Sequence, residues 1–157
     1  DQKISPLTPV DLKHLMKKHL VAAQSLKRSE KYGMVAYHLS YALEFALKSC
    51  VCKHLKQPTY PDGGESGKFF KSHSFQRLYL LSGLQDLFDR GSPHGQTYDS
   101  FIQEYFGDDW TKMRYDRKKL KYLGDKRVAK RLYNTLIGHG QSVPKSIIGI
   151  IKRENKW

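Results

Sequence analysis

Apolar positions recur every three or four residues through most of this chain, a spacing that lines one side of successive α-helices. The first helix opens on Thr8 as N-cap, with Pro9 at its first position and Asp11 in its first turn. Leu12, Leu15, Met16, His19, Ala22, Ala23 and Leu26 then share a face, and Lys13, Lys17, Lys18 and Lys27 lie opposite. A second helix is predicted over residues 32–55. Met34, Val35, Tyr37, Leu39, Tyr41, Leu43, Phe45, Leu47, Cys50 and Val51 make it apolar on several sides, as expected of a central or interfacial helix. That breadth leads to the expectation of a homodimer joined through this helix.

Residues 57–67 read as a loop, with Pro58, Pro61 and several glycines. Ser72 or Ser74 caps a third helix carrying Phe75, Leu78, Tyr79, Leu81, Leu84, Leu87 and Phe88 and stopping at Gly91. After a break at residues 92–95, Tyr98, Phe101, Ile102, Tyr105 and Phe106 form a short aromatic helix. Residues 110–121 are expected to be irregular or partly helical. A further helix from Asp125 carries Val128, Leu132, Leu136 and Ile137 toward Gly138, and the run at residues 147–151 leaves the one opening for a strand. The prediction is an all-α, up-and-down bundle of four to five main helices, one domain over residues 1–157.

Length supports a single domain: 157 residues suffice for one core. Mean hydropathy is −0.64, low enough to suggest disorder, but 12% aromatic residues argue for a folded chain with a charged surface. No stretch approaches the roughly 20 apolar residues of a membrane span. The opening residues Asp1, Gln2, Lys3 and Ile4 lack the apolar core of a signal peptide and a starting Met, so a trimmed, cytoplasmic chain is expected. Cys50 and Cys52 are two apart on a helix and point away from each other, so they read as buried thiols. No further ligands stand at zinc spacing, His14 and His19 do not share a face, and neither metal nor cofactor is expected. The glycines of residues 62–67 lack the Lys-Ser/Thr of a phosphate loop.

Charge changes the picture most. Against 15 Asp and Glu stand 28 Lys and Arg, a formal net charge of +13, which favours a polyanionic partner. The excess is concentrated in Lys112, Arg114, Arg117, Lys118, Lys119, Lys121, Lys126, Arg127, Lys130 and Arg131, opposed only by Asp116 and Asp125. Trp110, Tyr115, Tyr122 and Tyr133 are interleaved with them, so the segment carries both phosphate-neutralising and base-stacking groups. Arg114 suits a phosphate or a carboxylate such as Glu44 or Asp116. Glu44 and Lys48 are one helical turn apart, a surface pair or a pair that orients polar groups at the open end of the bundle. His73 sits among capping serines where a helix start favours an anion, and His38 reads as a hydrogen-bonded core or interface histidine.

Three patches resemble the HEPN domain family. Residues 36–48, AYHLSYALEFALK, are similar to its second helix with an aromatic or His, Ala-x-Glu and Lys. Lys71-Ser72-His73-Ser74-Phe75 is similar to its Lys-Thr-His-x-Leu helix start, and Met113-Arg114-Tyr115-Asp116 to its Ala-Arg-Tyr-Pro turn, with Asp in place of Pro. The resemblance implies a helical bundle, often dimeric, that binds or acts on RNA or nucleotides and works beside a small nucleotidyltransferase. With the basic segment, this leads to an expected binding set of Lys71, Arg114, Tyr115, Arg117, Lys118, Lys119, Lys121, Arg127 and Arg131, oriented by Glu44, Lys48 and Asp116. Ribonucleases of the superfamily, in toxin and antiviral systems, share an Arg followed after four to six residues by His; there His handles the 2′-hydroxyl proton and Arg the phosphate charge without metal. Here Arg90 and His94 are separated by three residues and Arg131 and His139 by seven, and no His follows Arg114 within reach. The expectation is therefore RNA or nucleotide binding. The alternatives are a metal-independent ribonuclease using Arg114 and His73, or Arg131 and His139, and a module that docks a nucleotidyltransferase.

Overall fold

Thr8 caps the first helix with a reciprocal pair: its hydroxyl accepts from the Asp11 N–H at 3.2 Å, and the Asp11 carboxylate accepts from the Thr8 N–H at 2.9 Å. The computed structural model describes residues 5–89, 97–139 and 145–157, apart from the side chains of Leu87 and Phe88. These residues form α1 (Pro9–Arg28), α2 (Val35–His54), α3 (Phe75–Ser82), α4 (Gln85–Phe88), α5 (Tyr98–Phe106), α6 (Arg117–Leu123), α7 (Lys126–Leu136) and α8 (Ile147–Asn155). Single 3₁₀ turns lie at Tyr32–Met34, Ser66–Phe69 and Trp110–Tyr115. The protein is an all-α helical bundle, with no strand among the described residues. None of the described helices is long and apolar enough to cross a membrane.

α2 is the central helix, packed by α1, α3, α7 and α8. Leu39, Leu43, Ala46, Leu47 and Val51 on it are almost wholly buried, each large side chain contributing roughly 1.5–3 kcal/mol on burial. Its broad apolar surface is thus covered largely within one chain. Tyr37, Tyr41 and Phe45 stay only partly buried.

Two elements differ from the sequence expectation. The predicted third helix ends early, because Gly83 adopts φ +73° and accepts the reversal after Ser82. It also packs where a Cβ would stand 2.5 Å from the His54 ring, and α4 follows as a separate turn after it. The expected stop at Gly91 and the break at 92–95 lie outside the described residues. The isoleucine run is a helix and not a strand. The Ser146 hydroxyl accepts from the Gly149 N–H at 3.0 Å, and Ile147, Ile148, Ile150 and Ile151 are buried on neighbouring helices, so packing overrides β-branched preference. The Asn155 amide on this helix donates to Cys50 Sγ at 2.9 Å. Burial pushes the Cys50 thiol up to about 12 and the Cys52 thiol up to about 11, so both are inert.

Candidate functional site

Of the three patches that resemble one family, the first two meet in space, together with Trp110, three residues before the third. Glu44, midway along α2, is 2% exposed, and its carboxylate gathers three donors from distant parts of the chain. Lys48 Nζ, one turn on, lies 3.4 Å from Oε2. His73 Nδ1 lies 2.6 Å from Oε1, and Trp110 Nε1 donates to the same oxygen at 3.1 Å. A carboxylate only accepts, so His73 donates from Nδ1 and its Nε2 becomes the acceptor of the neutral ring. The His73 side chain is 48% exposed. One face of the imidazole is therefore anchored to a buried charge while the ring remains open to solvent.

Local structure fixes each part. Ser74 caps α3 by accepting from the Arg77 N–H at 3.3 Å, and the Ser72 hydroxyl accepts from the Ser74 N–H at 3.1 Å, so His73 is held between two structured serines. The Trp110 N–H donates to the His73 carbonyl at 3.4 Å, and the Asp109 carboxylate begins the 3₁₀ turn by accepting from the Thr111 N–H at 2.9 Å. Burial opposes ionisation of Asp109, but the Thr111 bonds prevail, helped by His73 and Lys112, and hold its carboxyl below the usual range. Lys48 also lies 5.0 Å from the centre of the Tyr60 ring, whose hydroxyl donates to the Phe70 carbonyl at 2.7 Å; this closes the long loop beside the site.

An aromatic wall continues from Trp110. Its ring stands edge-on to Tyr41 at 4.6 Å and Tyr37 at 6.2 Å between centroids, and Tyr41 stacks on His19 of α1 at 4.7 Å. His19 Nδ1 lies 3.0 Å from His38 Nδ1. The Tyr37 hydroxyl bonded to Tyr41, together with burial, raises the Tyr41 phenol, and the Arg114 charge acts against that rise. Burial lowers both His19 and His38, and the charge of each neighbour adds to the effect at His19.

Arg114 is exposed. Its Nε donates to the Thr111 carbonyl at 3.3 Å and its guanidinium lies 5.5 Å from the centre of the Tyr115 ring, so the carboxylate pairing with Glu44 or Asp116 considered from sequence is not formed. Asp116 instead caps α6, accepting from the Lys119 N–H at 3.0 Å. Tyr115 is 82% exposed. Arg117, Lys118 and Lys121 of α6 are exposed and pair with no carboxylate among the described residues, whereas Lys119 donates its ammonium to the Glu104 carbonyl at 2.5 Å. Lys71 is exposed next to Ser72. Arg127 and Arg131 are exposed on α7, with Arg131 close enough to Tyr105 to influence its hydroxyl. His139 lies elsewhere, in a cleft beside the end of α1. No group of three or more His, Cys, Asp or Glu is arranged to hold a metal among the described residues.

Sequence reasoning did not assign Trp110 as a partner of Glu44, nor His19 as a partner of His38. The first pair is 66 residues apart and the second 19, so no local spacing marks either. No family model, curated protein or solved structure matches the chain.

Proposed function

We propose that this chain is a HEPN-like domain that binds RNA or a nucleotide at the site built around His73 and Trp110. The observation that supports this most is the buried Glu44 carboxylate holding His73, Lys48 and Trp110 together, with exposed Lys71 two residues before His73 and exposed Arg114 four residues after Trp110. In this reading His73, Lys71 and Arg114 meet one phosphate, Arg117, Lys118 and Lys121 meet neighbouring phosphates, and exposed Tyr115 stacks a base.

Fluorescence anisotropy with a labelled single-stranded RNA across a salt series tests it. The wild-type protein is expected to bind with a steep salt dependence. Replacing Arg117, Lys118 and Lys121 together by Ala should reduce the salt slope by about 2, since each neutralised phosphate of a single strand contributes roughly 0.7. Unchanged affinity and slope would overturn the reading, and salt-dependent binding to a nucleotidyltransferase but not to RNA would favour a docking module.

The Glu44–His73 pair favours one second reading, metal-independent RNA cleavage. A buried carboxylate on Nδ1 fixes the tautomer and leaves Nε2 to take the 2′-hydroxyl proton, while Arg114 stabilises charge on the phosphate. Cleavage that persists in EDTA and is lost in His73→Ala would select it. Binding without any cleavage would leave the first reading.

A further inference from the structure

A second concave site lies apart from Glu44. Between the last turn of α1, the Tyr32–Met34 turn and the C-terminal half of α7 opens a cleft of about 730 Å³, within the range of small-molecule sites. Two tyrosines line it, half-buried Tyr32 and Tyr133, which is only 6% exposed. Lys27 Nζ lies 4.2 Å from the centre of the Tyr133 ring. Arg28 lines the cleft as well, and its charge acts against the rise that burial gives the Tyr133 phenol. Lys130 lines the cleft from α7.

These three cations lack a carboxylate partner among the described residues, and the one acidic residue on the lining, Glu30, faces Lys126 at 3.8 Å. The cations on the lining thus outnumber its one carboxylate, and the cleft is electropositive. The last turns of two helices line the cleft, and helix C-termini carry partial negative charge, so an anion here is held by the cationic side chains and not by the helix ends. A ligand suited to these cations and to the tyrosine beside them is charged at one end and flat and apolar at the other. A planar ring packs on half-buried Tyr32 while a phosphate meets Lys27, Arg28 and Lys130.

We infer that this cleft is a binding site for a small organic phosphate carrying a flat ring, separate from the Glu44 site. Titration with phenyl phosphate, followed by calorimetry and by amide chemical shifts, tests it. Saturable one-to-one binding is expected, with the largest shifts around Lys27, Tyr133 and Asn134. Lys27→Gln and Lys130→Ala should each weaken binding about tenfold, and His73→Ala and Arg114→Ala should leave it unchanged. Inorganic phosphate should bind at least about tenfold more weakly, because it leaves the aromatic wall uncovered. Circular dichroism verifies that each variant is folded, and Arg28→Gln replaces any that is not. Failure to saturate by about 10 mM, equal affinity for inorganic phosphate, or loss of binding in Arg114→Ala with none in Lys27→Gln would each overturn the inference.

Discussion

At the scale of the residue, Glu44 is the position where the chain has most to lose. A buried carboxylate with three donors is stable only while the donors remain, and its removal leaves the partly buried Lys48 ammonium and the buried Trp110 N–H without their acceptor. Glu44→Ala is expected to cost roughly 3–5 kcal/mol in urea unfolding, the range for breaking a buried charge pair from one side. Glu44→Gln keeps the shape and an acceptor oxygen and should cost less, roughly 1–3 kcal/mol. Arg114→Ala provides the contrast. Its guanidinium is exposed, so stability should change by less than about 0.5 kcal/mol while RNA affinity falls. Equal stability losses for Glu44→Ala and Arg114→Ala would contradict this division between a buried anchor and an exposed side chain.

At the scale of the element, capping and glycine geometry set the helix ends. Thr8→Ala removes one side of the box that starts α1 and should cost about 1 kcal/mol. Gly83→Ala meets two penalties at once, a left-handed backbone and the His54 ring 2.5 Å from the new Cβ, so a loss above about 1 kcal/mol is expected from thermal or urea unfolding. Shortening His54 in the same protein should relieve the contact but not the backbone strain. Recovery should therefore be partial; complete recovery would assign the whole effect to the ring. These ends matter to the site because Ser74, at the start of α3, fixes the segment that carries His73.

At the scale of the whole molecule, α1 and α2 are joined through the His19–His38 contact, and this makes their association sensitive to pH. Burial lowers both histidines from 6.5, so the unfolded chain takes up protons more readily than the folded one. The neutral pair contributes fully above pH 6.5. Stability is expected to fall as pH drops from 6.5 toward the lowered folded values and to level off below them, apart from other groups. Urea unfolding between pH 7.5 and 5 measures the trend, and His38→Gln should flatten it. A variant with the same slope as the wild-type protein would remove the pair as its source. Lys18 adds to the repulsion at His19, so acidification acts on an already positive surface.

Periodicity and caps alone determined that this protein is helical, where α1, α5 and α7 begin, and that one basic, aromatic segment follows Trp110. Those properties are local: a hydroxyl three residues from an N–H, or apolar side chains three and four apart, act within a single turn. The motif resemblance marked Glu44, Lys48, His73 and Arg114, but their relation was not legible. Whether Glu44 was a surface partner or a buried hub depended on Trp110 arriving from 66 residues away, and Arg114 turned to the solvent because its 3₁₀ turn supplied the Thr111 carbonyl. The isoleucine run was equally undecided. Its intrinsic preference is for strand, yet burial against α2 and α7 made it a helix. Tertiary packing settled these points because burial, unlike propensity, depends on what the rest of the chain places against a side chain.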